Sequence, residues 1–211
     1  MKKLILGLAF LLPIAASGSA LADLLTFDDL QPPNADGIPL PKIYHGLKSR
    51  NFYFVDSSLI DEPTGYQNGT VSPNNVIFNY SPTGAPASFI SAAGTPFILN
   101  SFFLTGAFND DLNVTVTALR LGVVQDTTTL IVSTESPTLE TLNWTGIDTL
   151  QFISFGGTPH NGIFQGEQFV MDNVTINEPI GSSPTPEPQT LVLVGSGALA
   201  VLGAAWRRLR V

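Results

Sequence analysis

Short stretches in which apolar and polar residues alternate make up most of this chain, and such alternation is typical of half-buried β-strands. The alternation is strictest from Leu112 to Ala118, where every second residue is apolar. Clusters of Gly, Pro, Asn and Asp separate the stretches and supply turns. Ten stretches, rich in β-branched and aromatic residues, are predicted to be strands: Leu24–Asp28, Asn51–Val55, Val76–Tyr80, Ser88–Ser91, Phe97–Leu104, Leu112–Leu121, Val123–Val132, Leu139–Trp144, Thr149–Phe155 and Gln168–Ile176.

No helical periodicity interrupts these strands. Ten short strands with turn residues between them predict an all-β fold, a single antiparallel jelly-roll-like β-sandwich, with an open barrel as the alternative. Gly122 separates two of the strands and predicts a hairpin. The segments Gln31–Pro41 and Pro63–Asn75 are loop-like, and long loops over such a sandwich are expected to carry binding residues.

Two apolar runs at the ends of the chain depart from this alternation. The first follows Lys2 and Lys3 and ends before Ala20 and Ala22, whose small side chains form the cleavage pattern of a secretory signal peptide. The second precedes the C-terminus. We therefore predict four parts: a signal peptide over residues 1–22, a β-sandwich module over 23–177, a polar linker over 178–185 and a sorting tail over 186–211.

The distribution of charge limits the partners of the module. Residues 23–177 carry four basic and fifteen acidic side chains, a net charge of −11. A nucleic-acid partner is excluded, because neutralising phosphates requires clustered Lys and Arg. The other basic residues lie at the two ends, so the positive-inside rule places both ends in the cytoplasm and the module outside. The chain has no Cys, which excludes disulfides and thiolate sites.

The C-terminal apolar run predicts a short transmembrane helix. It spans 16 residues, from Leu191 to Trp206. As a helix it would be about 24 Å long, less than the roughly 30 Å of a bilayer core. The run is also interrupted by Gly195, Gly197 and Gly203. We expect a weak anchor that holds the chain in the inner membrane transiently.

The tail as a whole resembles a PEP-CTERM protein-sorting domain. The resemblance covers about residues 184–211 and combines Pro186-Glu187-Pro188, the apolar run and a terminal cluster of Arg207, Arg208 and Arg210. It implies that an exosortase recognises Pro186, Glu187 and Pro188 and cleaves the tail, while the three arginines act as a cytoplasmic stop. Proteins of this family are exported by Gram-negative bacteria that make exopolysaccharide, which implies a final location at the cell surface or in the extracellular matrix.

Acidic residues at both ends of the module suggest a structural calcium site. Asp28 and Asp29 follow the first predicted strand, and Asp172 lies in the last one. First and last strands of a sandwich are commonly neighbours, and Ca²⁺ prefers carboxylate and carbonyl oxygens. The alternative is that these carboxylates are solvated or accept hydrogen bonds from backbone amides at strand ends.

Aromatic residues are the candidates for binding a glycan. Tyr44, Tyr66 and Trp144 are predicted as platforms on which sugar rings could stack, with Tyr53 as a further platform, whereas the more numerous Phe residues are expected in the core. His45 and His160 belong to no catalytic or metal-binding motif, so we predict no catalytic site.

The leading functional prediction is therefore a non-enzymatic, exported, exosortase-processed surface or matrix protein that associates with extracellular polysaccharide. Its module would act by binding, with a glycan as the candidate ligand. A secreted polysaccharide-active hydrolase of sandwich fold and a structural adhesin that binds proteins are the alternatives. Two facing carboxylates about 5–9 Å apart would favour the hydrolase. Exposed aromatic rings would favour glycan binding.

Overall fold

The computed structural model describes residues 22–31, 36–60, 64–80, 84–162 and 166–181. The predicted sorting tail lies outside these ranges, as does the predicted signal peptide apart from Ala22. The chain divides into two compact units, Met1–Glu178 and Pro179–Val211, and every strand within the described ranges belongs to the first. Within the same ranges, no helix has the length and apolar character that crossing a membrane requires.

Two large antiparallel sheets make up the first unit. In the seven-stranded sheet the strands lie in the order β12-β8-β15-β6-β5-β2, and β1 pairs with β15 beside β6. Its strands are β1 (Asp23–Leu25), β2 (Ile38–Pro39), β5 (Phe52–Asp56), β6 (Asn75–Asn79), β8 (Phe97–Gly106), β12 (Thr138–Ile147) and β15 (Phe169–Ile176).

The six-stranded sheet has the order β11-β10-β13-β7-β4-β3. Its strands are β3 (Ile43–Tyr44), β4 (Leu47–Arg50), β7 (Ala87–Ser91), β10 (Leu112–Arg120), β11 (Val123–Val132) and β13 (Thr149–Phe155). A small two-stranded sheet joins β9 (Asn109–Asp110) to β14 (Thr158–Pro159). One turn of 3₁₀-helix, Ser57–Leu59, and the short helix α1, Gly65–Asn68, lie between β5 and β6.

These sheets confirm the predicted all-β, antiparallel sandwich. Each of the ten predicted strands overlaps an observed one, and β10 pairs with β11 across Gly122 as the hairpin prediction required. The structure is a sandwich and not the alternative barrel, because the chain forms two separate large sheets, each with its own edge strands. The sequence missed β4 and the two-residue strands β2, β3, β9 and β14, and the latter four are too short to show any alternation.

Phenylalanine side chains fill the space between the two sheets. Phe52 of the seven-stranded sheet stacks on Phe89 of the six-stranded sheet, with ring centroids 4.5 Å apart. Phe102 likewise meets Phe152 edge-on at 5.7 Å. All four rings are at most 2 % exposed. The predicted assignment of Phe to the core is therefore confirmed, and this apolar layer holds the sheets together without disulfides.

The first and last strands of the module lie side by side, as the sequence predicted. β1 pairs with the second half of β15, so that Leu25 lies opposite Val174. β6 pairs with the first half of β15, and β8 covers its other edge. β15 is therefore an interior strand of the seven-stranded sheet.

Candidate functional site

A cleft of about 270 Å³ opens at one end of the sandwich, where β6 and β13 of the two sheets come together. We call it the Tyr80 cleft. The residues immediately before β15 complete its wall. It is lined by Asn79, Tyr80, Gly84, Ala85, Phe152, Ile153, Ser154, Glu167 and Gln168.

Tyr80 presents an aromatic ring at this cleft. It is the first residue after β6, and its backbone N–H donates to the carbonyl oxygen of Asn51 at 2.9 Å. The side chain is 46 % exposed. Its ring packs on Tyr53, with centroids 4.8 Å apart, and Tyr53 in turn contacts Phe78 at 5.9 Å. One part of the Tyr80 side chain is thus supported by the protein while another part faces solvent.

Hydrogen bonds between the two sheets fix the polar floor of the cleft. The side-chain amide of Asn79 donates to Ser154 Oγ at 3.0 Å, and its oxygen accepts from the backbone N–H of Phe169 at 2.8 Å. The Ser154 hydroxyl donates to the carbonyl oxygen of Glu167. Both ends of the Asn79 amide are therefore engaged by the protein and fix its orientation.

Two further polar side chains keep hydrogen-bonding capacity. Glu167 Oε1 accepts from the backbone N–H of Gly156 at 2.7 Å, and Gln168 Oε1 accepts from the hydroxyl of Tyr66 at 3.2 Å. Within the described part of the chain, Glu167 Oε2, Gln168 Nε2 and the Tyr80 hydroxyl have no hydrogen-bond partner. Burial raises the pKa of Tyr66 well above its ordinary value, so its hydroxyl stays protonated and keeps Gln168 in place.

This arrangement offers an apolar ring, a carboxylate oxygen, an amide donor and a hydroxyl around one small cleft. Such a mixture suits a ligand that carries both C–H faces and hydroxyl groups. Glu167 is the one carboxylate among the described residues that line the cleft. Glycoside hydrolysis ordinarily requires a pair of carboxyl groups across the scissile bond.

Two of the three predicted glycan platforms, Tyr44 and Tyr66, are buried in the interior. Tyr44 is 5 % exposed, stacks on Phe27 and donates from its hydroxyl to Asp29 at 2.6 Å. Tyr66 is 6 % exposed. The prediction that these two rings face solvent is wrong. Each hydroxyl donates to an acceptor inside the protein, so the ring can be buried without leaving a polar group unsatisfied. Tyr66 nevertheless acts at the cleft indirectly, through Gln168.

The third predicted platform, Trp144, lies on β12 and is half-buried against the hydrophobic core. It does not line the Tyr80 cleft. Tyr53, the further candidate, supports the ring of Tyr80. Tyr80 itself was missed as a platform, although it stands at the end of a predicted strand before the turn residues Ser81, Pro82 and Gly84. Its place at the end of that predicted strand, next to the turn residues, was the available signal in the sequence.

The predicted calcium ligands occupy one region without forming a cation site of the usual kind. Asp172 is completely buried, and its Oδ2 accepts from the backbone N–H groups of Val71 and Ser72 at 2.7 and 2.8 Å. Its Oδ1 accepts from Ser72 Oγ at 3.0 Å and from the N–H of Asn173 at 2.7 Å. A carboxylate has about four acceptor positions. All four on Asp172 are therefore taken by protein donors.

Asp28 and Asp29 are likewise engaged. Asp28 Oδ1 accepts from the backbone N–H of Asn75 at 3.1 Å, and Asp29 accepts from Tyr44. Among the residues that the structure describes, no group of three or more His, Cys, Asp or Glu is arranged to hold a metal ion. Burial raises the pKa of Asp172, and the hydrogen bonds that it accepts oppose this effect. Calcium binding stays a prediction.

Both histidines pair with carboxylates. His45 Nδ1 lies 2.8 Å from Asp23 Oδ2, and His160 Nδ1 lies 2.5 Å from Asp110 Oδ2. The hydrogen bond and the charge of Asp110 raise the pKa of His160. Burial would raise the pKa of Asp110, but hydrogen bonds from Thr134, His160 and Ser133 bring it well below its ordinary value.

Comparison with known proteins adds a weak structural likeness. No family model and no curated protein matches the chain. Among solved structures, the chain is similar to a mutant of CBM29-2, described in work on ligand recognition by family 29 carbohydrate-binding modules. The identity is 11 %, the TM-score is 0.37, and the match covers 80 % of this chain and 99 % of the other. At that TM-score the likeness carries no argument about function.

Proposed function

We propose that the β-sandwich is a non-enzymatic binding module for a glycan and that the Tyr80 cleft is its binding site. The observation that carries the proposal is the half-exposed Tyr80, whose ring packs on Tyr53, beside Glu167 and Gln168 in one small cleft. The C–H face of a sugar ring packs on Tyr80, and its hydroxyls bond to the carboxylate and the amide.

Binding is favoured over hydrolysis because a single carboxylate lines the described cleft. Most glycoside hydrolases use two carboxyl groups, one on each side of the scissile bond. The chain crosses repeatedly between the two sheets, for example from β4 to β5, from β6 to β7 and from β7 to β8, and this supports the jelly-roll assignment, which we keep as part of the proposal.

Delivery of the module is the second part of the proposal. The chain is exported, held briefly in the inner membrane, cleaved at the PEP-CTERM-like tail by an exosortase and left at the cell surface or in the matrix. The motif Pro186-Glu187-Pro188 supports this route. Glu187→Ala is expected to accumulate as a membrane-held precursor in cells that contain an exosortase, and normal release of that variant would refute the route.

The binding proposal is tested with the full chain on a glycan array, followed by titration calorimetry with the glycan that gives the strongest signal. Tyr80→Ala is expected to weaken that interaction about tenfold, since an aromatic contact contributes roughly 0.5–1.5 kcal/mol beyond burial. Phe155→Ala is the matched control. Phe155 is also 46 % exposed and lies on β13, but it does not line the cleft.

Unchanged affinity of Tyr80→Ala would contradict the assignment of the cleft. Loss of binding in Phe155→Ala alone would move the site to the outer face of the six-stranded sheet. Release of reducing sugar from the array glycan by the wild-type chain would replace the binding module with the hydrolase alternative.

A further inference from the structure

Most of the module's few basic residues gather around one depression. Lys42, Lys48 and Arg50 line a shallow cleft of about 380 Å³ together with Ile43 and Ser49, and we call it the basic cleft. The module has only four basic residues against fifteen acidic ones. Three of the four basic residues therefore lie at one place, although acidic residues far outnumber basic ones in the module.

The strand register explains how they meet. Lys48 and Arg50 are two residues apart on β4, so their side chains leave the same face of the sheet, and both are exposed. Ile43 of β3 lies directly opposite Lys48. The backbone N–H of Ser49 donates to the carbonyl oxygen of Lys42 at 3.1 Å, which brings Lys42 alongside. Backbone pairing thus fixes all three positions.

Their charges are not compensated within the described part of the chain. The ion pairs found there involve His45, Arg120 and His160, and none involves Lys42, Lys48 or Arg50. Three cations held side by side repel one another, and no carboxylate of the described residues lies within ion-pair distance of them. An anion from outside the chain would relieve that repulsion.

The basic cleft adjoins the Tyr80 cleft. Arg50 is followed by Asn51, whose carbonyl oxygen accepts from the N–H of Tyr80 at 2.9 Å. The side chain of Asn51 also donates to the carbonyl oxygen of Pro86 at 2.8 Å, next to Ala85 of the Tyr80 cleft. Asn51 therefore links the strand that carries Arg50 to residues at the Tyr80 cleft.

We propose that the basic cleft binds the carboxylate groups of an acidic polysaccharide, so that the glycan of this module is a polymer of uronic acid type. The proposal rests on the proposed function, because it assigns the chemistry of the same ligand. Arg50 can hold a carboxylate through two parallel hydrogen bonds, and the lysines act as point charges. The exposed side chain of Ile43 offers an apolar contact to the sugar ring between them.

The overall charge of the module makes this arrangement selective. A polyanion is repelled by the rest of the surface, but that repulsion is screened beyond about 8 Å at physiological ionic strength. Binding then depends on local contacts, and an acidic chain is held only where its carboxylates reach the basic cleft. A neutral glycan gains nothing from this surface.

The test compares polygalacturonate with its carboxyl-reduced form, which keeps the backbone and removes the charge. The wild-type full chain is expected to bind polygalacturonate about tenfold more tightly at low salt, because each exposed ion pair contributes a factor of roughly 1.5 to 5. The double variant Lys48→Gln/Arg50→Gln should lose this preference and bind the reduced polymer as the wild type does. The preference should also shrink as NaCl is added.

A matched control adds the same change in net charge elsewhere. Ser136→Glu/Thr141→Glu places two negative charges at exposed positions outside both clefts and should keep the preference. A preference retained by Lys48→Gln/Arg50→Gln would overturn the proposal. Self-association of that variant with unchanged affinity would also overturn the proposal, because Lys48 and Arg50 would then serve to keep the sheet edge from pairing with another chain.

The two proposals fail in different ways. If the wild-type chain binds both polymers equally and Tyr80→Ala lowers both affinities, the Tyr80 cleft still binds a glycan, but the basic-cleft proposal is overturned. Affinity for polygalacturonate alone, unaffected by Tyr80→Ala, would keep the basic cleft and overturn the Tyr80 site. If the wild-type chain binds neither polymer, the basic-cleft proposal is overturned. The glycan array then decides whether the module binds a glycan at all.

Discussion

Asp172 is the residue on which the most structure depends. Its carboxyl group is completely buried and accepts hydrogen bonds from donors on Val71, Ser72 and Asn173. The segment that carries two of these donors also contacts the residue that follows β1, since Ser72 Oγ donates to the carbonyl oxygen of Thr26 at 3.3 Å. Asp172 therefore fastens the loop after α1 to both ends of the module.

Removing this carboxylate should be strongly destabilising. Asp172→Ala leaves one buried and two partly buried N–H groups without an acceptor, and each unsatisfied buried donor costs roughly 1–3 kcal/mol. We expect the free energy of unfolding in urea to fall by about 3–5 kcal/mol. Asp126→Ala is the control, because Asp126 is exposed on β11, and it should change the value by less than about 0.5 kcal/mol. A loss below 1 kcal/mol for Asp172→Ala would show that water replaces the carboxylate.

At this scale the sequence predicts residue types better than residue roles. It placed Phe in the core, because Phe has no polar atom to satisfy. Tyr44 and Tyr66 could not be assigned in the same way, since burial of a tyrosine depends on whether an acceptor such as Asp29 or Gln168 lies within reach after folding. These acceptors are 15 and 102 residues away along the chain.

Helix α1 is the element that ties the Tyr80 cleft to the core. It begins after Thr64, whose hydroxyl accepts from the N–H of Tyr66 at 3.3 Å. It lies so close to β8 that a Cβ atom on Gly65 would come within 1.6 Å of the carbonyl oxygen of Gly106. Only glycine permits this approach, and the approach is what puts the Tyr66 hydroxyl against Gln168.

Gly65→Ala should therefore damage both stability and the cleft. The added methyl group must push α1 away from β8, at an expected cost of about 3 kcal/mol. Glycan affinity should fall as well, because Gln168 loses its partner. Gly122→Ala is the comparison: its φ of 78° strains alanine, but the space is open, and a cost of about 1–2 kcal/mol with unchanged affinity is expected.

The measurements are a urea titration and a binding titration on each variant. If Gly65→Ala binds glycan normally once folded, α1 does not position the cleft. A loss in Gly122→Ala equal to that in Gly65→Ala would mean that crowding at β8 is unimportant.

Elements were predictable from the sequence according to their length. The long hairpin β10–β11 shows nine paired positions and a clear alternation, so its strands and turn were found. Helix α1 was not, since four residues held by Thr64 and by contact with β8 leave no helical period. The basic cleft was missed for a related reason, because the two-residue strand β3 is what brings Lys42 beside β4.

At the scale of the whole molecule, charge works against compactness. The module carries a net charge of −11, and such self-repulsion destabilises a folded chain. We expect added NaCl to raise the thermal midpoint, because it screens this repulsion. CaCl₂ at matched ionic strength gives the test of the calcium prediction, which requires a further rise at millimolar concentration that a chelator reverses. An equal midpoint in the two salts would contradict calcium binding by Asp28, Asp29 and Asp172.

Fold class was within reach of the sequence, because alternation and turn residues depend on local physics. The clefts were not, because each combines residues from distant parts of the chain. Tyr80 meets Glu167 and Gln168 only when β15 has paired with β6, and that pairing has no local signature.

The interior position of β15 also sets the timing of folding. It is the last strand of the module to be synthesised, yet β8, β6 and β1 all pair with it. Until residue 176 has emerged, the seven-stranded sheet lacks the strand that joins its two halves. At about 5–20 residues per second, β1 waits roughly 8–30 s and β8 roughly 4–14 s for that partner. The seven-stranded sheet therefore stays incomplete until the last strand of the module has been synthesised.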